Sequence, residues 1–170
     1  CEVNGIGASK TLAAPKASLP VNRWIISEVV ETQQALDKAL ADLRFDAAAN
    51  TIYHFTWDRF CDWYLELIKP VLQGEDASVA KWPEPKAAVD AAAKAEVDWL
   101  IKLVSEVRST KVELNIAPGT KMTAHVRDGD DDLRAKIARQ NAALDRVGRL
   151  DTISFDPAPE SASAQIVVDG

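Results

Sequence analysis

Apolar side chains recur at helical spacing through the first part of the chain and at a spacing nearer two in its later part. The longest helical pattern lies between Arg44 and Leu72. There Ala49, Tyr53, Thr56, Phe60, Trp63, Leu67 and Val71 fall along one side of a helix of about seven turns. A face of that size predicts cover by other helices. The opposite ridge, His54, Asp58, Asp62 and Glu66, repeats every four residues and predicts a side that stays in water. Pro70 should disturb the last turn and Gly74 should end it.

Cys1 to Pro20 is rich in Gly, Pro and small residues and predicts an irregular lead-in. Pro20 suits the first turn of a helix, with Ser18 as its cap. That helix runs to about Leu43, with Ile25, Val29, Leu36, Leu40 and Leu43 as its stripe and Gln33 interrupting it; Glu28, Glu31, Asp37, Lys38 and Asp42 line its solvated side. A break at Arg44 to Asp46, with Asp46 as cap, predicts that this helix and the next pack antiparallel as a hairpin. Glu75 to Pro85 is polar, broken by Pro83 and Pro85, and predicts a connection. A third helix is expected over Ala87 to Arg108, where Val97, Ile101, Val104 and either Val107 or Arg108 form the apolar side next to Trp99 and Leu100.

From Thr110 the period shortens. Val112, Leu114 and Ile116 alternate with polar residues as in a half-buried strand, and Pro118-Gly119 leads into a second strand over Met122 to Val126. Asp130, Asp131 and Asp132 place negative charge at a helix start, Leu133, Ile137, Leu144 and Val147 give its stripe, and Gly148 stops it. Thr152 to Phe155 and Ala164 to Val168 suggest two more strands. The expected class is α+β, an antiparallel helical bundle over 1–108 followed by a small ββαββ segment over 109–170.

Composition narrows the function classes. With 47% hydrophobic residues over 170 positions the chain can bury a core, and no run reaches the roughly 18 apolar residues of a membrane span. Cys1 and Cys61 make no disulfide framework, and the expected compartment is the cytoplasm. Twenty basic against 26 acidic residues give a net charge of −6, which argues against binding nucleic acid through a broad basic surface. The carboxylate ridge with His54 has the residue types of acid-base or metal chemistry, but the other histidine, His125, lies on a predicted strand, so a solvated face is preferred and no metal is expected. The sequence contains no Gly-rich phosphate loop, Cys-x-x-Cys pair or nucleophile elbow, and no catalytic residue is assigned.

The run Phe60-Cys61-Asp62-Trp63-Tyr64-Leu65-Glu66, with Arg44-Phe45-Asp46-Ala47-Ala48 and Trp57 before it and Lys69-Pro70 after it, resembles the anticodon-binding bundle of bacterial valyl-tRNA synthetases. Cys1-Glu2-Val3-Asn4-Gly5 and Asn22-Arg23-Trp24-Ile25 resemble what precedes that bundle. The resemblance implies a tRNA-binding C-terminal fragment of an enzyme that joins valine to tRNA(Val) using ATP and Mg2+. The family's His-Ile-Gly-His and Lys-Met-Ser-Lys-Ser signatures have no counterpart here, so a catalytically silent piece without a cofactor of its own is expected. Its expected partners are the tRNA(Val) anticodon stem-loop and the synthetase catalytic domain, with the piece itself monomeric. The family also carries more helix between the counterparts of Gly74 and Lys81, so a segment near 75–80 is expected to be missing.

Single-stranded loops are recognised by stacking and by hydrogen bonds to base edges. On the resemblance, Phe55 and Trp57 are expected to offer stacking surfaces, Phe60 being a third, with Arg44, Asn50, His54 and Arg59 near enough to bond base edges or phosphates. Phe60, Trp63 and Tyr64 lie on or beside the apolar stripe and also fit a core. A second RNA contact is expected from the locally basic Arg108, Lys111, Lys121 and Arg127, which equally fit ordinary cations on strand edges. The alternative function is a non-catalytic helical module that binds another protein through its exposed aromatic face.

Overall fold

The computed structural model describes residues 17–72, 90–159 and 163–168. Contacts divide the chain into two compact units, Cys1–Lys94 and Ala95–Gly170. The anticipated connection over Glu75 to Pro85, the stop at Gly74 and the start of the third helix at Ala87 lie outside the described residues, as does nearly all of the lead-in.

In the first unit, helix α1 spans Pro20–Ala41 with the proline in its first turn, where its missing N–H costs nothing. Its N-cap is Leu19 and no side chain caps it; the Leu19 carbonyl accepts from the Asn22 and Arg23 amides at 3.1 and 3.0 Å, so the expected cap at Ser18 is not formed. At the other end the Leu43 amide reaches the Leu40 carbonyl and the Arg44 amide the Ala39 carbonyl, at 3.0 and 2.8 Å, with Leu43 left-handed at φ 54°. This is the double C-terminal bond in which glycine is the usual left-handed residue. The buried side of α1 is Asn22, Trp24, Ile25, Ile26, Ser27 and Glu28, then only Ala39. Leu40 and Leu43, expected on the stripe, are 44% and 74% exposed, because the tight turn brings the chain back against the small Ala39 instead.

The chain then forms one rod of three consecutive stretches: α2 (Phe45–His54), a π-helical stretch (Phe55–Tyr64) and α3 (Leu65–Leu72). Arg44 is the N-cap of α2, while Asp46, expected to cap, sits inside the first turn and favours it through the helix dipole. Pro70 lies within α3. The Tyr64 hydroxyl donates to Asn22 Oδ1 at 3.1 Å and the Arg59 guanidinium lies 3.3 Å from Glu28, so α1 and the rod fold onto each other as a helical hairpin.

Polar side chains lock the start of α4 (Ala91–Glu113) to the same unit. Asp90 accepts from the Ala93 amide at 2.9 Å, donates its own amide to Ser27 Oγ at 2.8 Å, and pairs with Arg23 at 3.3 Å. Glu28, 6% exposed, accepts from Lys94 as well as pairing with Arg59, which gives a nearly buried carboxylate two cationic partners.

In the second unit, Val97, Leu100, Val104, Val107 and Lys111 are the buried side of α4, recurring every three or four residues. That period carries the helix through the stretch expected to be a strand. Val112 and Leu114 are 71% and 52% exposed, the Leu114 amide bonds the Thr110 carbonyl, and Asn115 at φ 55° ends the helix with the same double bond seen after α1. The Val112–Ile116 strand is therefore not formed. Strands β1 (Met122–His125) and β2 (Leu150–Ser154) pair in parallel, with an irregular register between Met122 and Thr123. Between them run α5 (Asp131–Ala143) and a π turn at Leu144–Gly148. Asp130, one of the three aspartates expected at the helix start, caps α5 by accepting from the Leu133 amide at 2.8 Å. A Cβ on Gly129 would lie 2.9 Å from the Phe155 ring, whose centroid sits 3.9 Å from the Arg134 guanidinium. Residues 163–168 form no strand among the described residues, so the expected ββαββ layer is here a βαβ unit following a mostly helical region.

Candidate nucleic-acid interface

The π-helical stretch decides which rings of the rod meet water. Its wider i→i+5 turn, seen in the Leu65 amide bonding to the Phe60 carbonyl, moves the phase of every residue beyond it relative to α2. A face drawn at a constant 3.6-residue period therefore cannot stay buried along the whole rod. Ala49, Tyr53 and Thr56, expected on the buried stripe, are exposed, while Ala48, Tyr64, Leu67 and Ile68 are buried. Phe60 and Trp63 are half-buried, and Phe60 stacks on Tyr64 with centroids 5.6 Å apart, so these rings serve the core. Burial pushes the Tyr64 phenol above its ordinary range.

On the exposed side, Tyr53 and Trp57 are 57% and 54% exposed, with ring centroids 6.4 Å apart and planes tilted by 51°. The Tyr53 ring stands edge-on to His54 at 5.7 Å and 85°. His54 Nδ1 lies 2.7 Å from Asp58 Oδ2, one helical turn on. Two rings, an imidazole and a carboxylate thus share one exposed turn. Phe45 and Ile52, at 66% and 49% exposed, extend the apolar surface toward the start of α2. Of the expected solvated ridge, His54, Asp58 and Asp62 are exposed, while Glu66 is half-buried and pairs with Lys69.

The other expected contact residues divide. Arg44 and Asn50 are exposed; Arg44 lies 4.0 Å from Asp46, and with both side chains mostly in water that pair holds the guanidinium weakly. Phe55 is half-buried. Arg59 is engaged with the buried Glu28 at 3.3 Å, so it braces the hairpin. Tyr53, expected on the buried stripe, is exposed beside Trp57 and His54 and joins the candidate surface. Its available signal was adjacency: it precedes His54 and lies four residues before Trp57, beside the polar ridge.

The basic group of the second unit is not one patch. Lys111 is 3% exposed and donates to the Thr120 carbonyl at 2.7 Å; burial, then the nearby Arg149 and Arg108 charges, lower its pKa. Lys121 is paired with Asp145, and Arg108 donates to the Val147 carbonyl at 3.3 Å. Arg127 is exposed. Lys111 turned inward and Lys121 paired with Asp145 are thus already engaged within the fold. Among the described residues no group of three or more His, Cys, Asp or Glu side chains is placed to hold a metal ion.

Residues 22–79 match a family model described as the anticodon-binding domain of tRNA ligase. The chain is 43% identical over 245 residues to a valine–tRNA ligase of Sphingopyxis alaskensis, the match covering 100% of this chain and 26% of the relative. It is 43% identical over 211 residues to that of Rhizorhabdus wittichii, covering 98% and 23%. With the enzyme of Zymomonas mobilis it shares 34% over 213 residues, covering 98% and 24%. The chain thus spans about a quarter of the length of these relatives. Each match is longer than the 170 residues of the chain, so the aligned region of each relative includes sequence with no counterpart here.

Proposed function

The chain belongs to the valine–tRNA ligase family, and from that premise we propose that it binds the anticodon stem-loop of tRNA(Val) through the exposed turn at Tyr53, His54 and Trp57. The observation that carries this reading is the pair of half-exposed rings next to a fixed imidazole, within the region that matches an anticodon-binding model. An unstacked base has a face for Tyr53 or Trp57 and an edge for His54 or Asn50. Arg44, weakly held, is the cation best placed for a phosphate. Arg59, paired with Glu28, supports this surface from the side that meets α1, and Phe55 is half-buried beside it.

We read the hairpin as part of an antiparallel bundle whose task is positioning. Gripping the distal end of the tRNA holds the acceptor end in register with a distant active site. The reaction served is ATP-dependent attachment of valine to tRNA(Val), in the cytoplasm, with ATP and Mg2+ held elsewhere in the enzyme; no step of the proposed function runs through them. The segment anticipated as missing near 75–80 lies outside the described residues, and its absence is consistent with matches longer than the chain.

With a net charge of −6 and one weakly held cation on the surface, most of the affinity comes from stacking. The salt slope should be shallow, a log–log value of about −1 for one or two phosphates. Filter binding of tRNA(Val) and an unrelated tRNA over a salt series tests the reading. A preference for tRNA(Val) that survives added salt supports it. Equal binding of both, vanishing together with salt, would place recognition outside this chain.

A further inference from the structure

Resting on the tRNA reading above, we propose that Asp58 is a positioning residue: it fixes the His54 ring so that Nε2 faces an unstacked base as an acceptor for its exocyclic amino group. An ionised carboxylate only accepts hydrogen bonds, so the 2.7 Å contact between Asp58 Oδ2 and His54 Nδ1 places the proton on Nδ1. In the neutral imidazole the lone pair is then on Nε2. Nε2 has no hydrogen-bond partner among the described residues. The edge-on Tyr53 ring restricts the imidazole from the side, and Trp57 flanks the same turn. A ring surface supplies stacking without sequence preference. The fixed acceptor beside it adds the preference, selecting bases that carry an amino group.

An exposed i,i+4 pair could instead contribute only to helix stability, by a few tenths of a kcal/mol. The two roles separate in fluorescence anisotropy with a labelled tRNA(Val) anticodon stem-loop and an unrelated stem-loop, using the full chain. His54→Ala and Asp58→Ala should each weaken the tRNA(Val) loop by about threefold to tenfold. The double variant should be no weaker than His54→Ala alone, because one residue acts through the other. Asp58→Asn should stay within about twofold of the parent, since its amide oxygen still accepts from Nδ1. Loops carrying amino-deleted analogues of adenine or cytosine, one position at a time, should include one that no longer responds to Asp58→Ala. Unchanged binding by Asp58→Ala while His54→Ala weakens it, or no amino-dependent position, overturns the inference and leaves the proposed function standing. A parent chain that does not distinguish the two loops removes the proposed function itself, before any variant is measured.

Discussion

Replacing Trp57 by Ala separates a ring that grips RNA from a ring that only packs, and Trp24 provides the internal scale. Trp24 is fully buried, at 0% exposure, so Trp24→Ala should cost about 3–5 kcal/mol from lost transfer energy and an unfilled cavity. Trp57 is 54% exposed. It has on the order of 100 Å² of covered surface to lose, about 1.5 kcal/mol after allowance for a compact unfolded chain, and no cavity remains at a surface site. At about 2–4 °C per kcal/mol for a chain of this size, Trp57→Ala should lower Tm by about 3–6 °C, and Trp24→Ala by about 6–20 °C. In binding the order reverses. Loss of one base-stacking surface should cost about 1–3 kcal/mol, roughly 5-fold to 150-fold in Kd for the tRNA(Val) stem-loop. Calorimetric melting and anisotropy titration on the same preparations give both numbers. Binding by Trp57→Ala within about twofold of the parent, or a Tm loss matching that of Trp24→Ala, would refute the assignment of this ring to the interface.

Leu43 is left-handed at φ 54° and 74% exposed, so Leu43→Gly relieves backbone strain and gives up little packing; the urea midpoint should rise by the equivalent of about 0.5–1 kcal/mol without a change in slope. Tyr64→Phe removes the 3.1 Å bond to Asn22 and should destabilise by about 1 kcal/mol at neutral pH. Burial raises the Tyr64 pKa, so the folded state keeps a proton that the unfolded chain loses, and stability should fall as pH rises above the ordinary value of 10.0; the Phe variant should lack that part of the alkaline loss. At Glu96, burial raises the carboxyl pKa, but hydrogen bonds from Arg139 and Gln140 and the Arg139 and Lys136 charges outweigh it and leave it lowered. The stability this contributes is present above the ordinary value of 4.5 and is lost as pH falls through the lowered one, so melting of Glu96→Gln should show a flatter acid limb.

What could be read from the chain was set by local chemistry. Pro20 opens α1, the aspartates at 130–132 sit at the start of α5, and His54, Asp58 and Asp62 stay exposed, whereas the left-handed residue that ends the turn before β2 is Arg149, one position beyond the expected Gly148. The misreadings come from effects that a fixed period does not encode. The π-helical stretch moved Tyr53 from the expected core to the surface, and this placed the candidate interface. Val112, Leu114 and Ile116 alternate as a strand would, but the helical series ending at the buried Lys111 extends through Val112 and prevails. Lys111 itself was expected to face RNA. Its inward turn depends on the Thr120 carbonyl, a partner across the turn that follows α4 and invisible to a charge count.

The ten-residue stretch Phe55–Tyr64 makes the rod a splice between two angular frames. Upstream positions answer to one origin and downstream positions to another, so a scanning series read around a single helical wheel would assign the wrong partners at one end. Excising one residue within the splice would tend to restore the tighter winding. The buried Leu67 and Ile68 would then turn toward a different side with no change in their own chemistry. Length within this stretch therefore sets which residues of this rod are buried more than the identity of any exposed side chain along it.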